Sequence, residues 1–425
     1  MTVPALQFNK FEIKSNVDET TVDLRSGNPI IEYRESIFMP HVEITAFLVD
    51  TGHSLPADDG GNGTVGLLDG GLGQGTETIK FQIADVKGNK INFTRDDDLR
   101  VDCIVGNYQG FKRESFMMTV VSKEAFDDTL IKNRCRNLYS GKISAVARDI
   151  VEINLKSPKW LTMNTDETLD DYNGYAPVDE EGKFMSPFDF LLHLQQLSIP
   201  NLQTSTGKTA KGNTAGYLFW QSSTGYQFRS LDKLFETKEN NTKDSNGKII
   251  RRYIENNKST PGIPAGFDGK ILWSDMSRSV SALNQFKEGA WATQQQTFNL
   301  VTKEYTETNL QAKGKGRGIT GGRHLPTLNK DFCDTDGNPY PTQVRKDTQT
   351  AGTTLVPLDS IEEQVEKTDK INYNIEDIFQ QAQQNYRQKM TISAEIVIEA
   401  DLSLNAGDLI YLSFPKLEDN KTQTA

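Results

Sequence analysis

The sequence predicts an α+β protein dominated by β-structure, built from two small antiparallel β-barrels with helical and irregular inserts. Three observations carry this expectation. Apolar and polar residues alternate with a period of two in several segments between Val42 and Val121. The spacing turns helical at Ser122. Alternation then returns from Met390 to Leu404 and leads through a Gly-Asp turn into a final apolar strand.

From Ile30 to Asp50 the chain reads IIEYRESIFMPHVEITAFLVD, and in its second half Val42, Ile44, Ala46 and Leu48 alternate with Glu43, Thr45, Phe47 and Val49, which is strand spacing. The run Gly60 to Gly75 carries glycines at 60, 61, 63, 66, 70, 71, 73 and 75, a density that predicts an exposed, mobile loop. Strands resume with Ile79, Phe81 and Ile83, turn at Lys87-Gly88-Asn89, and continue through Ile91 and Phe93, Val101 to Val105, and Phe116 to Val121. These segments predict a first barrel domain over residues 1–121.

Residues 122–215 read as an α/β insert. Ile143, Val146, Ala147, Ile150 and Val151 share one helical face. A further helix starts with Ser186 as N-cap and Pro187 at its first position, buries Phe188, Leu191, Leu192 and Leu197, and stops before Pro200. The acidic spacer Asn164 to Lys183 reads as loop. Tyr217 to Trp220 and Tyr226 to Phe228 flank Ser222-Ser223-Thr224-Gly225 and predict a hairpin. That hairpin is expected to join the C-terminal alternation, so that residues 216–235 and 387–425 form a discontinuous second barrel. Residues 236–386 read as an irregular, loop-rich insert, with a second long loop at Gly314 to Arg323 and a helix near 374–388, where Ile375, Ile378, Phe379, Ala382 and Tyr386 recur at helical spacing. In the C-terminal stretch Ile392, Ala394, Ile396 and Ile398 alternate, and Asn405-Ala406-Gly407-Asp408 turns the chain into Leu409 to Phe414.

A chain of 425 residues exceeds what one hydrophobic core organises. Its formal net charge of -11 supplies no cationic excess for phosphates or anionic lipid, so neither nucleic acid nor membrane is an expected partner. Cys103, Cys135 and Cys333 are odd in number and far apart, without a Cys-x-x-Cys pair, and read as reduced thiols of a protein made in a cytoplasm. No leader-like start is evident, and the glycosylation-like triplets at Asn62, Asn92, Asn240 and Asn257 read as chance matches.

Motifs for chemistry are absent from the reading. His41, His53, His193 and His324 stand apart from metal-ligand spacing and read as structural or exposed. Gly71-Leu-Gly73-Gln-Gly75 lacks the strand before and helix after that a dinucleotide fingerprint needs, and Thr206-Gly-Lys-Thr and Gly314-Lys-Gly-Arg lack the P-loop context. Asp334-Thr-Asp336-Gly-Asn338 starts like a calcium loop but has no later bidentate glutamate, so it reads as an Asp/Gly turn. Asp96-Asp97-Asp98 reads as a solvated turn. No catalytic, cofactor-binding or metal residue is assigned, and no enzymatic activity is expected.

One pattern is familiar. Ile31-Glu-Tyr-Arg-Glu-Ser-Ile-Phe-Met-Pro40 and the strand after it resemble the opening of the baseplate central hub proteins of contractile-tailed bacteriophages. Ile79-Lys-Phe-Gln-Ile, the helix from Pro187 to Leu197, and Leu404-Asn-Ala-Gly-Asp-Leu-Ile-Tyr are similar to further pieces of that family in the same order. The resemblance implies two tudor-like barrels and a homotrimer whose pseudo-sixfold ring adapts a threefold spike to a sixfold tail tube. It implies as partners the tail spike, the tail tube or tube-initiator protein, and baseplate wedge and tape-measure proteins, with a place in the virion's tail baseplate. A tail-associated cell-wall hydrolase and a receptor-binding adhesin are the alternatives; the first needs an acidic pair in a cleft, and the second would use the loops Gly60 to Gly75 and Gly314 to Arg323.

Overall fold

The computed structural model describes residues 6–17, 19–27, 29–50, 55–56, 64–67, 72, 75–96, 98–108, 114–157, 163–168, 171–178, 181–198, 200, 217–238, 241–255, 262–277, 281–299, 303–311, 328–349, 393–415 and 422–424. Among these, the chain is β-dominated with few, short helices and several separate sheets, an α+β architecture.

The alternating N-terminal segments form one eight-stranded antiparallel sheet. Ile30–Arg34 lies at one end of its path, followed by Glu43–Asp50, Glu114–Ser122, Leu99–Tyr108, Thr78–Ala84, Gln7–Lys14 and Thr21–Asp23; Lys90–Phe93 also pairs with Thr78–Ala84. Alternate residues point to opposite faces, so each strand contributes one apolar row to a shared core. Phe11, Ile13, Val42, Ile44, Ala46, Ile79, Phe81, Leu99, Val101, Met118 and Val120 are fully buried there. Phe11 and Phe81 meet edge to face at 5.8 Å. A bulge shifts the register between Thr119 and Val120, leaving Asp102 unpaired opposite them.

The glycine-rich run is only partly described, and two of its leucines depart from the expected exposed loop. Leu67 and Leu72 are buried in the N-terminal core. The Leu67 N–H donates to Asp50 Oδ2 at 2.6 Å, and the Leu72 N–H to the Leu67 carbonyl at 3.1 Å. Buried apolar side chains anchor their chain segment wherever a core has room.

The insert follows its helical spacing closely. Lys123–Thr129, Ile143–Asp149 with a π-turn continuation at Ile150–Asn154, and Pro187–Leu197 are helical, and Ile143, Val146, Ala147, Ile150 and Val151 are buried on one face. Ser186 Oγ accepts from the Asp189 N–H at 3.2 Å as the expected N-cap. Phe190, Leu191 and Leu194 are the most deeply buried residues of that helix, while Leu192 and Leu197 are half-buried. The spacer read as loop contains strands: Asp171–Tyr175 pairs with Leu138–Lys142, and Asn164–Thr165 pairs in parallel with Gly225–Ser230.

The composition expected for the second barrel differs from the main-chain pairing. The hairpin Tyr217–Ser222 and Gly225–Ser230 forms as expected, but it joins the sheet of Asn164–Thr165. Its first strand is apolar on both faces, and the hairpin is largely buried. Tyr217, Phe219, Tyr226 and Phe228 enter the insert's core, whereas Leu218 and Trp220 pack with Leu231, Ile37 and Ala406. The C-terminal strands pair with segments of the region read as irregular. Their five-stranded sheet runs Ser393–Ile398, Gly269–Ser277, Arg251–Glu255, Ile410–Pro415 and Thr422–Thr424, with both inner pairings of Arg251–Glu255 parallel. The strands on either side of the Gly-Asp turn are therefore separated by two others, and the expected C-terminal hairpin pairing is absent. Alternation shows that a segment is a strand and leaves its neighbour open. A three-stranded sheet of Glu304–Gln311, Ala292–Asn299 and Gln343–Gln349 occupies more of the same region. The helix expected near 374–388 and the loop Gly314 to Arg323 lie outside the described residues.

Candidate functional site

Two of the segments that carry the family resemblance meet in space. After the edge strand Ile30–Arg34, Glu35 leaves the sheet, and the chain folds back through a turn in which the Met39 N–H donates to the Ser36 carbonyl at 3.1 Å. Glu35 Oε1 accepts from the Ser223 N–H of the hairpin at 2.6 Å, and Glu35 Oε2 accepts from the Ala406 N–H of the Gly-Asp turn at 2.8 Å. One carboxyl group thus closes backbone donors from two other parts of the chain. The Tyr33 hydroxyl donates to Glu35 as well, and burial, followed by the adjacent Glu35 charge, pushes the Tyr33 phenol well above its ordinary range.

Further bonds tighten the same junction. The Val42 N–H donates to Gln221 Oε1 at 3.1 Å, and Ser223 Oγ donates to Asn405 Oδ1 at 2.8 Å. The Trp220 indole N–H donates to the Ala406 carbonyl at 3.1 Å. Gly407 adopts a φ of +88° directly beneath the Trp220 ring, where an added Cβ would stand 2.5 Å from Cζ2. Only glycine satisfies both the left-handed backbone and the ring's proximity. Asp408 Oδ2 accepts from the Asn405 N–H at 2.7 Å and pairs with Lys248, whose ammonium also reaches the Ser403 carbonyl at 2.6 Å.

Beside the turn lies a charged cluster that ties the N-terminal sheet to the C-terminal one. Asp85 Oδ2 accepts from the Leu402 N–H at 3.3 Å, Lys87 lies 3.9 Å from Asp401, and the Tyr253 hydroxyl donates to Asp401 Oδ2 at 3.0 Å. Burial pushes the Asp85 and Asp401 carboxyls up, but their hydrogen bonds outweigh it. The bonds come from Asn89 and Leu402 for Asp85, and from Ser403 and Tyr253 for Asp401, and both groups end below the ordinary carboxylate range.

The arrangement is that of a clamp. Among the described residues no group of three or more His, Cys, Asp or Glu stands together as a metal set. His41 and His193 are pushed down by burial, and His193 stacks on Phe190 at 6.4 Å. Cys135 is buried, with a thiol raised to about 11, whereas Cys103 is exposed. Asp334 Oδ1 accepts from the Asn338 N–H at 2.7 Å and the Asp336 N–H at 3.0 Å, forming the expected Asp/Gly turn. Asp98, expected in a solvated turn, is buried and accepts from the Arg95 N–H at 2.9 Å. His53, His324 and Thr206 to Thr209 lie outside the described residues.

The outward face of the N-terminal sheet carries a feature that strand alternation alone had concealed. Ile30 stands opposite Phe47, Phe47 opposite Met117, and Met117 opposite Val105. All four side chains are exposed, by 71, 43, 45 and 55% respectively. They form one apolar row across four adjacent strands, ending at Ile30–Arg34, which pairs on one side only among the described residues. No described helix is long and apolar enough to cross a membrane.

No family model matches the chain, and comparison with curated proteins gives no match. The solved structures to which it is similar include phage tail proteins. A 43 kDa tail protein of prophage MuSo2 from Shewanella oneidensis is 10% identical, with 98% of this chain and 91% of that one covered and a TM-score of 0.43. A tail protein from Neisseria meningitidis is 5% identical, with 84% and 75% covered and a TM-score of 0.38. A type VI secretion component from E. coli, described as structurally similar to phage T4 tail proteins, is 7% identical, with 66% and 57% covered and a TM-score of 0.31.

Proposed function

We propose that this chain is a structural baseplate hub subunit of a contractile phage tail. In this reading three copies form a pseudo-sixfold ring that adapts the threefold spike to the sixfold tail tube. The observation that carries it is the apolar row Ile30, Phe47, Met117 and Val105 beside an edge strand, a surface suited to a neighbouring subunit. The sequence resemblance supports it, because Glu35 in the Ile31 to Pro40 segment bonds directly to Ala406 in the Leu404 to Tyr411 segment.

The eight-stranded sheet then serves as one tudor-like barrel and the five-stranded C-terminal sheet as the other, with residues 122–215 and the three-stranded sheet as decorations. The partners are two further copies, the spike, the tube or its initiator, and wedge and tape-measure proteins. The protein works by geometry, without catalytic, cofactor or metal residues, and resides in the tail baseplate after synthesis in the host cytoplasm.

Sedimentation of the full chain, alone and with its spike, tests this reading. The expected result is a trimer, alone or on the spike, which Phe47→Glu combined with Met117→Glu reduces to a folded monomer. A chain that stays monomeric with the spike, or a trimer indifferent to both charges, overturns it.

A further inference from the structure

The apolar row on the N-terminal sheet supplies one half of a contact. A ring of three identical copies closes through one repeated head-to-tail interface, in which a patch on each copy meets a different patch on the next; a patch that meets its own counterpart gives a twofold pair instead. If three copies close a ring, the molecule must carry a second exposed apolar surface.

The five-stranded C-terminal sheet carries one. Its inner face is dry: Ile271 lies opposite Ile398 and packs with Tyr253 and Phe414. Between Ile271 and Trp273 the register shifts at a bulge, after which Trp273 stands opposite Val397 on the outer face. Trp273, Val397 and the bulged Leu272 are 50, 46 and 59% exposed. They lie at the rim of the sheet, because Ser393–Ile398 pairs on one side only among the described residues. An exposed tryptophan with aliphatic neighbours beside an open strand edge has the composition of an interface anchor.

Charge separates this patch from two other exposed apolar pairs, Leu138 opposite Tyr175 and Phe298 opposite Tyr305. Glu32 and Glu43 flank the N-terminal row on one side and share Arg34 between them. Cations border the C-terminal patch: Lys270 stands opposite Ile254, and Arg252 lies on the same outer face, 5.6 Å from the centre of the Tyr411 ring. The pair Phe298 and Tyr305 instead stands beside the carboxylate of Glu307, to which the Tyr305 hydroxyl donates at 3.3 Å. Leu138 and Tyr175 are flanked on their sheet by the neutral pair Ser140 and Asn173. A closed ring also needs its two patches held at a set angle, and the bonds from Ala406 to Glu35 and from Leu402 to Asp85 join the two sheets directly.

Resting on the three-copy reading above, we propose that the outer face of the C-terminal sheet at Leu272, Trp273 and Val397 receives the row Ile30, Phe47, Met117 and Val105 of the next copy, sheet against sheet. In that packing Lys270 and Arg252 face the Glu32 and Glu43 side of the row. Asp275 and Glu395, which pair beyond Trp273 and Val397, face its neutral side at Val49 and Ser115. Each copy uses both surfaces, so the ring leaves neither apolar patch uncovered.

Cys103 gives the test a native handle, since it is exposed beside the row, opposite Thr119, whereas Cys135 is buried. The full-length chain carrying Cys333→Ser is treated with a short thiol crosslinker, with and without Val397→Cys. Linked two-copy and three-copy species are expected that require Val397→Cys and vanish when Cys103→Ser is added. In sedimentation Trp273→Glu is expected to turn the trimer into a folded monomer, weakening association by about a hundredfold or more. Two-copy species formed through Cys103 without Val397→Cys mean that the row meets itself, and overturn the proposal. A trimer that gives no link and is indifferent to Trp273→Glu overturns it too, while leaving the three-copy reading standing. A chain monomeric both alone and with its spike overturns that reading and the proposal with it.

Discussion

The N-terminal sheet and the C-terminal sheet are both β-structures, but they are stabilised differently. The first encloses a continuous core around Phe11, Phe81, Phe93 and Phe116, contributed by strands that alternate cleanly. The second has a small core of Tyr253, Ile271 and Phe414 and is bordered by the charges of Arg251, Asp268, Asp401 and Lys248. Burial of large apolar surface fixes the first, while hydrogen bonds and ion pairs to neighbours contribute more of what orders the second. The difference implies that the second sheet depends on the junction with the hairpin and the first sheet to reach its structure.

The largest expected effect tests the contrast between cores. Phe81→Ala should cost about 3–5 kcal/mol in denaturant unfolding, and Ile271→Ala about 2 kcal/mol, since less packing surrounds the smaller cluster. Equal losses would remove the distinction. Next comes Gly407→Ala, which forces a Cβ against Trp220 at a backbone φ that disfavours it. A cost of about 1–3 kcal/mol is expected, with a shift in tryptophan emission.

Glu35→Gln should cost about 1–3 kcal/mol, because the amide nitrogen must face either the Ser223 or the Ala406 N–H and leaves that donor unmet. Protease susceptibility should then rise in the C-terminal sheet before the N-terminal one. Acid provides a gentler probe. Asp85 and Asp401 are lowered in the folded state, so their contribution is present above the unfolded carboxylate value near 3.8 and is lost as pH falls through their folded values. Hydrogen exchange below about pH 4 should show the C-terminal sheet opening first. Smallest is Lys87→Ala: its ion pair with Asp401 is half exposed, and the loss should be under about 1 kcal/mol.

The sequence disclosed the two regions unequally for the same physical reason. Ile44, Ala46, Leu48, Ile79 and Phe81 mark strands because one face is dry and the other wet, and Ile143 to Val151 mark a helix in the same way. Ala292–Asn299, reading ATQQQTFN, is equally a strand, but polar residues occupy both of its faces and leave no period to read. The hairpin's neighbours differ from the expected ones because YLFWQS is apolar on both faces, a pattern that signals burial without naming the covering layer. The bond from Ala406 to Glu35 spans 371 residues and uses a main-chain donor common to nearly every residue type, so no side-chain pattern announces it. The glycine at 407 was legible as a turn; its place under Trp220 was not.

The position of Glu35 has a consequence for synthesis on the ribosome. Its strand belongs to a sheet whose members all lie before residue 123, so that sheet can close early in translation. The carboxyl must then wait for Ser223 and, much later, for Ala406 to emerge. Throughout that interval a nascent chain presents a folded platform whose Glu35 carboxyl, met by the Tyr33 hydroxyl, still lacks both backbone donors, and the docking of the Gly-Asp turn is a late event in the protein's maturation.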